Sequence, residues 1–113
     1  MLNVKEQLVR ELNTILPTYY ELFCDSTTET PCITYIENLS YDTLTGDTLG
    51  YSQVGFNIKV WGNDIGVLSE YMIKVDAVMR RLGFKRISYN EIVYNGQIEL
   101  VGSYVGLGKE NYK

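Results

Sequence analysis

The sequence predicts an α+β domain in which an antiparallel sheet carries two amphipathic helices on one face, in the order α-β-β-β-α-β-β. The first observation is strict two-residue apolar alternation at Val54, Phe56, Ile58 and Val60, the period of a half-buried strand. The second is the repeat that follows, Ile65, Leu68, Met72, Val75, Met79 and Leu82, whose spacing of threes and fours puts all six side chains on one helix face. The third is the break between them, Trp61-Gly62-Asn63-Asp64, which ends a strand and supplies a helix-initiating residue.

The elements follow in chain order. Asn3 and Glu6 have capping-box spacing. Val4, Leu8, Leu12 and Ile15 or Leu16 form an apolar stripe, and Pro17 closes the segment because the residue before proline is pushed out of helical geometry. A first helix over Val4 to Leu16 is expected. Tyr19 to Cys24 reads as a short strand or an irregular crossing, and Asp25 to Thr30 as an exposed loop. Pro31 opens the β-rich run Cys32 to Leu39, since proline is tolerated at the first position of a strand. Tyr41 to Gly50 is a polar hairpin with its tip near Gly46, and the strand from Tyr51 to Trp61 pairs antiparallel with the run before it.

On that strand Val54, Phe56, Ile58 and Val60 face the core, while Tyr51, Gln53, Gly55, Asn57 and Lys59 face water. Burying one Leu, Ile or Met side chain is worth about 1.5 to 3 kcal/mol, so the six-residue helical stripe is a large part of the core. Gly83 stands where a glycine terminates the second helix. Phe84 to Tyr89 and Glu91 to Tyr94 are extended, Asn95-Gly96 signals a tight turn, and Gln97 to Val105 returns as the last strand. Gly102, Gly106 and Gly108 mark a bulge or a close approach of backbone, and Lys109 to Lys113 is a frayed tail.

The chain of 113 residues has the length of a single domain spanning residues 1–113. At that size folding buries roughly two thirds of the extended surface, enough for a core without metal or disulfide. The start shows no basic region followed by an apolar block, and no apolar run is long enough to span a bilayer, so a soluble cytoplasmic protein is expected. Net charge is −4 and the ten Lys and Arg residues form no long run, which disfavours phosphate-dominated nucleic-acid binding. Arg80, Arg81, Lys85 and Arg86 cluster near the end of the second helix, where the helix dipole favours cations.

Chemistry is not visible. Cys24 and Cys32 are the only cysteines and there is no His, so zinc ligation and the usual general base of Ser and Cys hydrolases are missing. Glu37, Asp42 and Asp47 are oxygen ligands of the type a divalent cation takes, but acidic residues beside a turn are ordinary turn formers. No cofactor, metal or catalytic residue is expected. Ten tyrosines fall mostly on the expected strands, where half-buried packing accounts for most of them and a subset is left for a subunit interface. In the hairpin, Leu44 and Leu49 stand among polar residues, either as a contact for a neighbour or as a cross-strand pair in a solvated turn.

Pro31-x-Ile33-x-Tyr35, the strand Phe56 to Trp61, the helix leading into Arg81-Leu82-Gly83-Phe84-Lys85-Arg86, and the closing run Ile98 to Gly106 together resemble the tail completion, or tail terminator, proteins of long-tailed bacteriophages of the siphovirus or myovirus type. The resemblance covers most of the chain. It implies a structural virion protein, assembled in the host cytoplasm, that forms a homohexameric ring at the head-proximal end of the tail. Such a ring ends tail-tube polymerisation and gives the filled head a docking surface. The implied partners are further copies of the chain, the tail tube protein and the head-tail connector protein. DNA only passes through the ring, and no membrane is involved. The family brings no catalytic residues.

The working parts of a ring are loops and sheet edges, and the residues expected at a subunit or partner contact are Thr43, Leu44, Thr45, Gly46, Asp47, Leu49 and Tyr104. Two other readings fit the same pattern. One is a neck or stopper protein of similar build, and the other a monomeric, non-viral adaptor that binds partners through a sheet edge.

Overall fold

The computed structural model describes residues 4–21, 30–39, 53–94 and 96–107. The fold is α+β, with the order α1 (Val4–Asn13), β1 (Thr18–Tyr20), β2 (Cys32–Leu39), β3 (Gln53–Gly62), α2 (Ile65–Arg81), β4 (Lys85–Tyr94) and β5 (Gln97–Leu107). The strands form one five-stranded sheet in the spatial order β1-β2-β3-β5-β4. β2 with β3, β3 with β5 and β5 with β4 pair antiparallel.

The sheet is mixed, which corrects the wholly antiparallel expectation. β1 runs parallel to β2, with Thr18 opposite Ile33 and Tyr20 opposite Tyr35. A parallel neighbour needs a connection of about a dozen residues to carry the chain back to its starting end, and residues 21–31 supply one. The amide of Ile33 donates to the Pro17 carbonyl at 2.9 Å and locks the start of this pair.

α1 stops at Asn13, three residues short of the expected Leu16. The amides of Thr14 and Ile15 donate to carbonyls three residues back, Glu11 and Leu12, which tightens the last turn. The side chain of Asn13 then accepts from the Thr18 amide at 3.1 Å and turns the chain into β1. Leu8, Leu12 and Leu16 remain buried, so the apolar stripe survives the early stop.

α2 is capped at both ends. Asp64 is extended and its carboxylate accepts from the amides of Gly66 at 3.0 Å and Val67 at 3.2 Å. At the other end Gly83 adopts φ +95°, its amide donates to Arg80 O at 3.0 Å, and the Phe84 amide donates to Met79 O at 2.9 Å. This is the paired-bond termination that glycine permits. Of the six stripe residues, Leu68, Met72, Val75 and Met79 are buried, Leu82 is half-buried and Ile65 at the stripe's margin is exposed. Val78 joins the core in addition.

Both helices lie on the same sheet face. Leu8 and Leu12 from α1, Leu16 just beyond its end, and Leu68, Met72, Val75, Val78 and Met79 from α2 form one cluster with Ile33, Phe56, Ile58, Val60, Leu100 and Tyr104. Phe84 closes it with an edge-to-face contact to Phe56, ring centroids 5.6 Å apart. Gly102 lies under α2, and a Cβ there would sit 2.7 Å from Met72 Cε and 2.9 Å from the Tyr104 ring. The close approach expected of this glycine is present. The bulge is on the partner strand instead, at Ile87, between the Arg86–Tyr104 and Ser88–Ser103 pairs.

The opposite sheet face is not uniformly wet, contrary to the alternation argument. Cys32 and Thr34 are buried there, and Thr34 Oγ1 accepts from the Trp61 indole N–H at 2.8 Å. A large ring beside a short hydroxyl residue gives this face a polar but shielded centre.

Candidate subunit interface

A strand at the end of a sheet leaves one row of backbone amides and carbonyls without strand partners, and that is where a second chain can add. The order of strands gives this sheet two such borders, β1 on one side and β4 on the other. They differ in length, three residues against ten.

The β4 border is apolar to an unusual degree for a surface. Ile87 is 60% exposed and Val93 68%, with Tyr89 and Ile92 also exposed, and Ile73 of the adjoining α2 is 69% exposed. Between α2 and β4 runs a groove of about 320 Å³ lined by Ser69, Met72, Ile73, Asp76, Arg80, Arg86 and Tyr89. At its centre Asp76 holds two guanidiniums, Arg80 Nη2 at 3.4 Å and Arg86 Nη1 at 3.6 Å. The same carboxylate accepts from the Tyr104 hydroxyl at 3.3 Å. Arg86 also lies over the Tyr89 ring, 5.2 Å from its centroid.

Burial, with the Asp76 charge adding to it, pushes the Tyr104 phenol well above its ordinary range. Tyr89 is raised as well, by partial burial first and by Glu91 second, with Arg86 opposing. Two cations on one anion leave this groove net positive beside an apolar wall, which is chemistry for recognising an anionic, partly apolar partner.

The β1 border is built differently. Tyr19 is exposed, and Tyr20 packs edge-to-face on Tyr35 with centroids 5.3 Å apart. Glu21, just past the strand, receives Lys59 at 2.9 Å, and Lys59 also reaches Glu99 at 3.7 Å. The remaining oxygen of Glu21, Oε1, is buried without a hydrogen-bond partner among the described residues.

Of the contact residues expected from sequence, Thr43, Leu44, Thr45, Gly46, Asp47 and Leu49 lie outside the described residues. Tyr104 is a core residue, 1% exposed, so it offers no surface to a neighbour. Its place opposite Phe56 on β5 points it under α2, and its polar end is satisfied by Asp76. Of the acidic trio, Asp42 and Asp47 lie outside the described residues and Glu37 pairs with Lys5 at 3.3 Å. Cys32 is buried, and Cys24 lies outside the described residues.

The β4 border was missed in the sequence. Its signal was the out-of-phase Ile87 between Arg86 and Ser88, followed by Tyr89, Ile92 and Val93, more apolar side chains than one buried face can take. No helix among the described residues is long and apolar enough to cross a membrane. No protein-family model matches the chain, and comparison with curated proteins finds no match.

Proposed function

We propose that this chain is a structural virion protein that caps the head-proximal end of a phage tail tube as a homohexameric ring, ends tube polymerisation and offers the filled head a docking surface. The observation that carries this reading is the pair of unlike sheet borders, one short and one long with an exposed apolar flank. A closed ring repeats one heterologous contact, so each subunit needs two different patches. The sequence motifs that resemble those of tail terminator proteins supply the setting. The ring's other partners are then the tail tube protein and the head-tail connector protein, and a net charge of −4 suits a passage through which DNA slides.

The test joins native mass across a concentration series with electron microscopy of particles lacking the protein. A hexamer mass and overlong tails are expected. Tails of normal length on leaky heads would assign the chain to the neck instead, and a monomer at every concentration would overturn the ring.

A further inference from the structure

β4 is ten residues long and ends the sheet, so it holds the longer of the two rows of main-chain groups open to a further strand. Its one carboxylate, Glu91, is exposed and enters no ion pair among the described residues. Close by, Arg80 and Arg86 have a single carboxylate between them, that of Asp76. The border therefore carries both a surplus cation and an unpaired anion. Arg86, Tyr89 and Glu91 stand opposite Tyr104, Gly102 and Leu100, so all three lie on the face that bears the helices.

A second copy of β4, running the other way, meets these needs in reverse. Residues directly opposite in antiparallel strands share a face, so a two-fold axis relating two copies passes through a residue and not between two. An axis at Glu91 sets two carboxylates against each other, and one at Tyr89 sets Ile87 against Glu91. An axis at Asn90 sets Ile87 opposite Val93, Ser88 opposite Ile92 and Tyr89 opposite Glu91, each of them twice. Ile87 and Val93 are the most exposed apolar side chains of the strand among the described residues, and this register brings them together. Arg86 lies over the Tyr89 ring, 5.2 Å from its centroid, so the incoming Glu91 meets a guanidinium.

The helices leave room for such a pair. With β4 and its twin between them, the two β5 strands are three spacings of about 4.8 Å apart, roughly 14 Å. Gly102 puts α2 over β5, and two helices about 10 to 12 Å across then leave only a few ångströms between them. Ile73, largely exposed and lining the groove on that side of α2, closes this gap from each copy.

We infer that the chain pairs with a second copy of itself across a two-fold axis at Asn90, β4 against β4, joining two five-stranded sheets into one of ten strands. The pattern of the strand selects this occupant, because a two-fold contact needs a patch that complements itself. The contact goes beyond the ring reading. A border held in this pair is closed to a ring neighbour, so the pair is a free form that has to part before β4 can serve in a ring.

The test uses the full chain with Cys24→Ser, which leaves buried Cys32 as its only native thiol. Adding Asn90→Cys puts two thiols on the axis, where facing Cα atoms are about 4.5 to 5.5 Å apart and within disulfide reach. A covalent dimer under mild oxidation is expected. Ser88→Cys has its twin four residues further along, roughly 13 Å away, and should link only when mixed with Ile92→Cys. Glu91→Lys, in a chain without added cysteine, should weaken the dimer seen by sedimentation about tenfold or more. If Glu91→Lys fails to fold by circular dichroism, the cysteine variants decide alone. A parent chain that is only monomeric or only hexameric, a folded Glu91→Lys chain that dimerises unchanged, or Ser88→Cys alone linking as readily as Asn90→Cys overturns the inference. The ring reading fails separately: dimers linked through Asn90→Cys, from a parent chain that reaches no hexamer at any concentration, remove the ring and leave this contact standing.

Discussion

Tyr104 carries its hydroxyl into the core, where it donates to Asp76 Oδ1 at 3.3 Å. Burial and the nearby carboxylate both favour the neutral phenol, so the folded chain holds this proton above the ordinary value of 10.0. The unfolded chain releases it near that value. The stabilising contribution is therefore complete below pH 10.0 and is lost as the pH climbs beyond it. Tyr104→Phe should cost about 1 kcal/mol at neutral pH and flatten the alkaline decline, which urea unfolding at a series of pH values would measure. An equally steep decline in the variant would place its origin elsewhere. Asp76 keeps Arg80 and Arg86 in that variant, so the groove beside β4 should be undisturbed.

α2 is held by its ends as much as by its buried face. Removing the carboxylate in Asp64→Ala leaves two amides of the first turn without their protein acceptor and should lower stability by about 1 kcal/mol, read as a shifted urea midpoint with an unchanged slope. These end signals were legible because they are local: Asp64 and Gly83 act on residues within a turn of themselves. The strand-to-helix switch and the β2–β3 pairing were legible for a related reason, since period reports which side of an element is buried. The pairing of β1 with β2 was not. Three residues carry no period, and their direction depends on a partner fifteen positions away, as in the register Thr18 to Ile33. The bulge escaped too, because the sequence divides this stretch at Asn90, into Phe84 to Tyr89 and Glu91 to Tyr94, whereas Lys85–Tyr94 is one strand whose irregularity lies at Ile87. The candidate interface was hidden for a topological reason: which strand ends the sheet is decided by the order of pairing, and nothing within β4 alone states it.

Across the molecule, α1, α2 and three strands of the sheet, β2, β3 and β5, close on a single core, so one charge at its centre should undo all of it. Val75 is fully buried among residues from α1, α2 and the sheet. An aspartate there has no partner within the cluster, and the cost of an unpaired buried carboxylate rivals the roughly 5 to 15 kcal/mol that holds a typical domain together. Val75→Asp should abolish the cooperative thermal transition seen by circular dichroism, and a melting curve like that of the parent chain would refute the packing described. The extra residue in β4 reaches furthest at this scale. On the hairpin's base Arg86 sits opposite Tyr104, and beyond Ile87 it is Tyr89, Glu91 and Val93 that stand opposite the core-facing positions Gly102, Leu100 and Ile98. Odd and even numbers thus trade sides partway along the strand, and the kink that goes with this trade tilts the far end of the hairpin. A single inserted residue consequently sets both the heading of this arm and which of its side chains look inward, so removing Ile87 would straighten the arm only by turning its outer half over.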